Sequence, residues 1–287
     1  MHPLENVLII GASTGIGFET AKLLAGENRN LILVCRNELI AQQTKEKILA
    51  LVPVSQINTL TCNLENPEDI NALAAKLMAL VNCIDVCVFN AACIMPRRTL
   101  TATGLEVQLA VNHLASFALC NLLLPLFKAS SGCKLIFLSS RVYKIAGINT
   151  PLLLGQARYY HPTLAYAESK LLSAIFATYL GHKLNPQGIK VCLIHPGLVS
   201  TEIGNKHATF FQGLLWSLMK AGGRLPIDAA KEIIAVLERL PDENRPVIWF
   251  KGKPHALEAK ITNPENVEKV LSLSYKLFPG LNRNMLC

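Results

Sequence analysis

The chain has 287 residues, of which 51% are hydrophobic and 17% are charged, and this is enough apolar material for one large domain with a substantial core. The composition excludes the disordered and collagen-like classes of protein. Lys and Arg outnumber Asp and Glu by 28 to 20, and the resulting charge of +8 suits an anionic partner such as a nucleic acid, an acidic membrane or a phosphorylated small molecule.

The sequence gives no sign of a targeting or membrane-spanning segment. No apolar run reaches the ~18 residues of a transmembrane helix, and the first residues lack the basic and apolar regions of a signal peptide. We therefore expect a cytoplasmic protein. The nine cysteines and seven histidines lack metal-ligand spacing, which favours reduced core cysteines over disulfides or a metal site.

Short apolar runs alternate with helix-length amphipathic stretches through the first 195 residues. The runs predict strands at 7–10, 31–34, 56–62, 86–89, 134–138 and 191–194, and the stretches predict helices at 16–25, 39–51, 67–81, 103–129 and 163–184. The strands are apolar almost throughout, which is typical of a parallel sheet buried on both faces. Right-handed crossovers then give an α/β fold, a Rossmann-type doubly wound parallel sheet flanked by helices.

The alternation weakens beyond residue 195. An apolar stretch at 210–219 is followed by a predicted helix at 227–240, a short strand at 247–250 and a last helix after Pro264. We predict a single domain in which residues 1–200 form the cofactor-binding and catalytic core. Residues 201–287 are then an appendage that carries a substrate lid and the C-terminal helices.

Three glycines, Gly11, Gly15 and Gly17, follow the first predicted strand, and a helix begins at once after them. Glycine permits the tight turn and the close approach of backbone to a pyrophosphate, while the helix N-terminus supplies free N–H groups and a positive dipole. A glycine trio alone is weak support, because turns collect glycine. Between a strand and a helix it predicts a dinucleotide site.

The end of the second predicted strand indicates which dinucleotide is bound. Cys35 offers no carboxylate for a ribose 2′-hydroxyl, whereas Arg36 can pair with a 2′-phosphate through charge-assisted hydrogen bonds. The alternative interpretation is a solvated surface arginine. We favour NADP(H) over NAD(H) as the cofactor.

A tyrosine and a lysine, Tyr166 and Lys170, are four positions apart within a predicted helix. This spacing places both side chains on one helix face, where the ammonium would favour the phenolate and lower a tyrosine pKa that is ordinarily about 10. Such a tyrosine can exchange a proton with an alcohol or a carbonyl. The alternative is an ordinary half-buried tyrosine beside a surface lysine.

The order of these motifs resembles the short-chain dehydrogenase/reductase family. The glycine loop matches that family's TGxxxGIG motif with Ile10 in place of Thr, and residues 195–201 resemble its PG-x-V-x-T element. The resemblance implies that Ser140 binds the reacting oxygen, Tyr166 transfers the proton, and Asn112 and Lys170 form a proton relay. It assigns cofactor binding to Gly11, Ser13, Thr14, Gly15, Ile16, Gly17, Arg36, Asn37, Asn63, Leu64, Asn90, Ala91, Tyr166, Lys170, Pro196, Gly197, Val199 and Thr201.

The chain departs from the family pattern at three positions. Ala92 stands where the NNAG motif has glycine, so a close backbone approach is made with an extra methyl group. Asn63 replaces the aspartate that accepts from adenine, although its amide oxygen can also accept. Pro125 lies inside the helix predicted at 103–129, where we expect a kink rather than a helix end.

The substrate is indicated by the branch of the family that the chain resembles. Twenty-five residues separate Ser140 from Tyr166, and CRN, VNHLASF, SSRVY and HPGLVSTEI are similar to segments of retinol-dehydrogenase-like and ketosteroid-reductase-like members. The resemblance implies an NADP(H)-dependent oxidoreductase that interconverts a carbonyl and an alcohol on a lipophilic substrate, such as a retinoid or a steroid. The segments 142–161 and 207–220 would line its apolar pocket.

Several alternatives stay open at this stage. Phe210, Phe211, Trp216 and Met219 could line the pocket, pack against the domain or a second subunit, or contact a membrane peripherally as part of the segment 207–224. The resemblance implies a homodimer or homotetramer that pairs through the helices predicted at 103–129 and 163–184. Dispersed basic residues argue against a nucleic-acid partner. The alternative functions are a catalytically silent NADP(H)-binding sensor or interaction protein and, with less support, an isomerase or dehydratase.

Overall fold

A single sheet organises the computed structural model, which describes residues 4–148, 154, 159–200, 223–239 and 247–283. Its strands are β1 Glu5–Ile10, β2 Arg29–Cys35, β3 Gln56–Thr61, β4 Val86–Phe89, β5 Lys134–Leu138, β6 Lys190–His195, β7 Ile248–Phe250 and β8 Lys253–His255. Their order is β3-β2-β1-β4-β5-β6-β7-β8, with parallel neighbours from β3 to β7 and an antiparallel β7–β8 pair. The predicted Rossmann-type α/β fold is confirmed.

Helices connect the strands and cover the sheet. They are α1 Gly15–Leu24, α2 Glu38–Leu49, α3 Pro67–Leu80, α4 Val107–Leu109, α5 Ala115–Leu122, α6 Leu124–Lys128, α7 Pro162–Leu184, α8 Pro226–Arg239, α9 Ala259–Thr262 and α10 Pro264–Leu277. A proline in the first turn favours the start of α3, α7 and α10. The asparagines Asn37, Asn66 and Asn263 cap α2, α3 and α10 through their side-chain oxygens.

The core lies on both faces of the sheet, as the uninterrupted apolar strands predict. Successive residues of β1 alternate between the two faces: Leu8 and Ile10 pack into one buried cluster, and Val7 and Ile9 pack into the other. Eight cysteines in the described residues carry free thiols, and most of them are buried. Within the same residues, no helix is long and apolar enough to cross a bilayer.

The helix predicted at 103–129 is not continuous, and this prediction is wrong. It begins with α4 at Val107, continues through a π-helical turn at Ala110–Leu114 and α5, and stops at Leu122. Leu123 has φ −93° and ψ 2°, and a new helix, α6, begins at Leu124. Pro125 then lies in the first turn of α6, where its missing N–H costs no hydrogen bond.

The C-terminal helix α10 packs against α5 and α7. The buried ring of His113 lies 2.7 Å from the hydroxyl of Ser274, and the rings of Phe117 and Tyr275 meet edge to face at 4.8 Å. The Tyr275 hydroxyl donates to the side-chain oxygen of Asn121 at 3.0 Å. The helix predicted after Pro264 is therefore confirmed, and it covers part of both long central helices.

Candidate active site

The loop between β1 and α1 forms a cradle of bare backbone. Gly11 has φ +88° and Gly15 has φ +59°, in the left-handed region that favours glycine. A Cβ on Gly17 would lie 2.2 Å from the carbonyl oxygen of Gly11. The side chain of Thr14 does not cap α1, and the first N–H groups of a helix without such a cap can bind an anion. The predicted residues Ser13 and Ile16 lie in the same turn.

Asn90 fastens this loop to the end of β4. Its side-chain amide donates to the carbonyl oxygen of Gly11 at 2.6 Å. The backbone N–H groups of Asn90 and Ala91 donate to the carbonyl oxygen of Ile10 at 3.1 and 2.8 Å. A Cβ on Gly11 would lie 2.7 Å from the Cα of Ala91, so the two chain segments are in direct contact. The structure thus brings together predicted residues that are 79 positions apart.

The residues predicted to bind the adenosine end lie after β2 and β3. The Arg36 side chain is 63% exposed and pairs with Glu65 at 2.8 Å. An exposed ion pair of this kind is worth about 0–1 kcal/mol, so a phosphate can compete for the guanidinium. The side chain of Asn37 caps α2, and that of Asn63 accepts from the backbone N–H of Glu65 at 3.3 Å. Leu64 is half-buried against the core.

Three of the predicted catalytic groups meet at the carboxyl end of β5. The ammonium of the buried Lys170 donates to the carbonyl oxygen of Leu138 at 2.9 Å. Tyr166 lies one turn earlier on α7 and is hydrogen-bonded by the hydroxyl of Ser140. Ser140 also accepts from the backbone N–H of Val142 at 3.4 Å, at the start of a short 3₁₀ helix, Arg141–Ile145.

The pKa of Tyr166 differs from the value expected from the sequence. Burial raises the pKa of Tyr166 to about 12, although the hydrogen bond from Ser140 opposes the rise. Burial also lowers the pKa of Lys170 to about 8. The predicted lowering of the tyrosine pKa is wrong for the protein alone, because the desolvation of the phenol outweighs the hydrogen bond from Ser140. Tyr166 is therefore protonated at neutral pH.

Asn112 lies in the π-helical turn and joins two parts of the site. Its side-chain oxygen accepts from the backbone N–H of Cys93 at 2.7 Å, and its amide donates to the carbonyl oxygen of Cys93 at 3.0 Å. The same amide donates to the hydroxyl of Ser169 at 3.0 Å, and Ser169 donates to the carbonyl oxygen of Tyr166 at 2.8 Å. Asn112 therefore fixes the loop after β4 against the helix that carries Tyr166.

The loop after β6 is held by Arg224, which the sequence suggested only as the end of the possible membrane-contact segment 207–224. Gly197 has φ +83°, which requires glycine. Arg224 donates from Nη1 to the carbonyl oxygen of Pro196 at 2.9 Å and to the carboxylate of Glu232 at 2.7 Å. Its backbone forms a parallel bridge with Val199. The predicted residue Thr201 lies outside the described residues.

The predicted substrate segments are described only in part. Of the segment 142–161, the 3₁₀ helix and residues 146–148, 154 and 159–161 are described. Ile145 is exposed there, as is Tyr159. The segment 207–220, with Phe210, Phe211, Trp216 and Met219, lies outside the described residues, so its proposed roles stay predictions.

Four contributing residues were missed by the sequence analysis: Cys93, Ser169, Arg224 and Glu232. Ser169 stands inside the Tyr166–Lys170 motif, and that position was an available signal. The other three act through contacts between distant segments. Burial raises the pKa of the Cys93 thiol to about 12, so this cysteine is a backbone anchor for Asn112 rather than an activated nucleophile.

Comparison with known sequences agrees with this geometry. A sequence model described as short chain dehydrogenase matches residues 5–210. The chain belongs to the short-chain dehydrogenase/reductase family. Human "Retinol dehydrogenase 13" is 33% identical over 279 residues, which cover 94% of this chain and 82% of that protein. "Retinol dehydrogenase 12" of Bos taurus is 34% identical over 212 residues, covering 74% of this chain and 66% of that protein.

Solved structures of the family share the fold. A "Short-chain dehydrogenase from Sphingobium yanoikuyae in complex with NADPH" has a TM-score of 0.67 and 21% identity, and the alignment covers 94% of this chain and 96% of that one. The short-chain dehydrogenase/reductase of Serratia marcescens has a TM-score of 0.66 and 19% identity over 88% and 99% of the two chains. The family and its retinol-dehydrogenase relatives make this chain an oxidoreductase of the alcohol/carbonyl class.

Proposed function

We propose that the protein is an NADP(H)-dependent oxidoreductase that interconverts a carbonyl and an alcohol on a lipophilic substrate, such as a retinoid, a steroid or another hydrophobic ketone or aldehyde. The meeting of Ser140, Tyr166 and Lys170 at the end of β5 carries this proposal. A protein that only senses the cofactor has no need of this constellation, so we favour an enzyme over a silent sensor.

The residues present fit a dinucleotide phosphate. The cradle at Gly11 and Gly17 has no room for a Cβ, and the first turn of α1 offers free N–H groups. Arg36 supports NADP(H) because its guanidinium is exposed at the end of β2, where Cys35 supplies no carboxylate. The carboxylate of Glu65 alone would repel a 2′-phosphate. Its ion pair with Arg36 offsets the negative charge of this carboxylate.

The chain's own groups account for the proton that carbonyl reduction requires. NADPH bound in the cradle would supply the hydride for the carbonyl carbon. Ser140 hydrogen-bonds the carbonyl oxygen, and Tyr166, protonated at neutral pH, donates its proton to that oxygen. Lys170 stabilises the phenolate that forms. The family resemblance implies that Lys170 and Asn112 then return a proton from solvent, although the side chain of Asn112 bonds Cys93 and Ser169 in this structure. The remaining predicted residues, Pro196, Gly197 and Val199, would hold the nicotinamide.

Turnover with a substrate panel tests this mechanism. We expect NADPH oxidation with a member of a panel of retinals, steroids and aliphatic or aromatic aldehydes. Tyr166→Phe should bind NADPH as the wild type does and lose activity by about 10²-fold or more, because it has no proton to donate. Wild-type turnover by this variant would refute the mechanism. Tight NADPH binding without turnover of any carbonyl would instead support the sensor alternative.

The choice of cofactor has its own test. We expect wild-type protein to bind NADPH more tightly than NADH, and Arg36→Asp to reverse that preference, because the new carboxylate repels a phosphate and accepts from a ribose hydroxyl. Dissociation constants from cofactor fluorescence measure both effects. A wild-type preference for NADH would overturn the assignment of NADP(H).

The sequence also predicted two kinds of partner, a second copy of the chain and a membrane surface. The helices predicted to pair in a homodimer or homotetramer are partly covered by α10, which packs on His113 and Phe117. α10 therefore occupies part of the predicted pairing face, and the homodimer or homotetramer stays a prediction for the part that α10 leaves uncovered. Peripheral membrane contact through 207–224 rests on a segment of which only 223–224 are described, and flotation with liposomes tests it.

A further inference from the structure

A buried polar chain lies beside the catalytic helix and takes no part in the mechanism above. The amide of Gln108 donates to the hydroxyl of Tyr160 at 2.6 Å, and that hydroxyl donates to one carboxylate oxygen of Glu106 at 2.8 Å. The other oxygen of Glu106 accepts from the backbone N–H of Leu109 at 2.9 Å, which caps α4. Both oxygens of this fully buried carboxylate therefore have a defined partner.

The polar chain joins the starts of two functional helices. Glu106 and Gln108 lie at the beginning of the helical run that carries Asn112. Tyr160 lies two residues before α7, and Gln108 also donates to the carbonyl oxygen of Pro162, the first residue of α7, at 3.3 Å. The catalytic Tyr166 follows within about one helical turn of that residue.

We propose that Tyr160 and Glu106 are positioning residues, which hold the first turn of α7 against the Asn112 helix and so set the place of Tyr166. This inference rests on the proposed function, since that function makes Tyr166 the proton donor. Neither residue touches the reacting atoms in this scheme.

Among the described residues, the side-chain cap at the start of α7 is weak. His161 caps it with a long contact of 3.4 Å to the backbone N–H of Leu164, and His161 itself is exposed. The neighbouring Tyr159 is 79% exposed, so the described side chain that enters the protein at this point is Tyr160. Displacing a catalytic group by about 1 Å can cost about 10²-fold in rate, and the hydrogen bonds of Tyr160 oppose such a displacement.

The buried carboxyl of Glu106 gives the hydrogen bonds of Tyr160 a direction. Burial raises the pKa of the Glu106 carboxyl, and it raises the pKa of Tyr160, which keeps the phenol protonated as a donor. With the Gln108 amide as the donor at the other end, the hydroxyl of Tyr160 has one place for its own hydrogen, the Glu106 oxygen. A phenylalanine at position 160 would remove this link while keeping the ring.

The test compares Tyr160→Phe with the matched control Tyr159→Phe, which makes the same substitution at the adjacent residue, whose side chain is 79% exposed. We expect Tyr160→Phe to lower kcat by about 10- to 100-fold. The NADPH dissociation constant should stay within about twofold, because none of the hydrogen bonds of Tyr160 reaches the glycine loop. Tyr159→Phe should change neither quantity. Glu106→Gln keeps the shape with one acceptor fewer and should lower kcat in the same direction.

Hydrogen exchange separates this inference from the proposed function. Exchange of the backbone amides at 164–170 should become faster in Tyr160→Phe than in the wild type, with no substrate needed. If these amides exchange faster in Tyr160→Phe but the wild type turns over no substrate, the proposed function is contradicted and the role of Tyr160 in positioning α7 is supported. Unchanged exchange with unchanged kcat would overturn the positioning role, as would equal losses of kcat and NADPH affinity, which indicate general destabilisation.

Discussion

Replacing Gly17 by alanine is the sharpest test of the glycine cradle. The new Cβ would lie 2.2 Å from the carbonyl oxygen of Gly11 and 2.5 Å from the side-chain nitrogen of Asn90. Non-bonded carbon atoms ordinarily lie about 3.5–4.0 Å apart, so the loop or the helix must shift by roughly 1 Å. The hydrogen bond of 2.6 Å between Asn90 and Gly11 lies in the path of that shift.

The size of the effect follows from these contacts. Overpacking of this kind costs about 1–3 kcal/mol, and loss of the Asn90–Gly11 hydrogen bond adds about 0.5–1.5 kcal/mol. We therefore expect a loss of stability of about 2–4 kcal/mol, which lowers Tm by roughly 4–8 °C in a chain of this size. NADPH affinity should fall at least about tenfold, because the shift moves the N–H groups that would bind the phosphates.

Gly26→Ala is the matched control, since no atom lies within 4 Å of its added Cβ. Its free energy of unfolding should stay within about 1 kcal/mol of the wild-type value. We expect a small gain, because alanine reduces the conformational entropy of the unfolded chain. Thermal denaturation and cofactor fluorescence measure the two quantities for both variants. A Gly17→Ala protein with the Tm and NADPH affinity of the Gly26→Ala protein would refute the cradle.

Two further outcomes follow from the structure. Glu232→Ala should lose about 1–3 kcal/mol in urea denaturation, because Glu232 accepts from Arg224 at 2.7 Å and from the backbone N–H of Gly252 at 2.9 Å; a loss below about 0.5 kcal/mol would contradict this role. Sedimentation tests the predicted homodimer or homotetramer, which should have at least twice the 31.4 kDa mass of one chain. The mass of a single chain would overturn that prediction and indicate that the contacts of α10 with the central helices block pairing.

The features that the sequence predicted well are those that local chemistry determines. A parallel sheet buried on both faces requires continuous apolar strands, and the sequence shows such apolar runs at β1, β2 and β5. The glycine loop could be predicted from the sequence because only glycine suits the positive φ of Gly11 and the crowded position of Gly17. The spacing of Tyr166 and Lys170 likewise fixes their common helix face.

The features that the sequence did not predict depend on distant contacts. Arg224 and Pro196 are 28 positions apart, and nothing in the local pattern shows that the arginine holds that loop. The break at Leu123 is a local feature: it lies two residues before Pro125, where the sequence suggested a kink rather than a helix end. The pKa of Tyr166 depends first on burial and then on the hydrogen bond from Ser140, and helical spacing shows neither of them.

A buried carboxyl on the catalytic helix gives the protein a pH-dependent cost in stability. Glu168 is 1% exposed, one of its carboxylate oxygens has no hydrogen-bond partner, and burial raises its pKa to about 8. Between about pH 4.5 and pH 8 the unfolded chain releases a proton that the native state retains. The contribution of Glu168 to stability is therefore full below about pH 4.5 and is lost as the pH rises through 8.

Glu168→Gln removes this titration and keeps the shape of the side chain. We expect the variant to gain stability over the wild type as the pH rises from 5 to 8, by about 1–3 kcal/mol at the upper end, measured by urea denaturation. Glu46→Gln is the control, since Glu46 is exposed on α2 and its loss removes a charge without removing a buried carboxyl. Parallel pH profiles for the wild type and Glu168→Gln would mean that Glu168 is ionised in the native state at neutral pH. The native state would then contain a buried, ionised Glu168 carboxylate with one oxygen that lacks a hydrogen bond. Desolvation strongly disfavours such a charge.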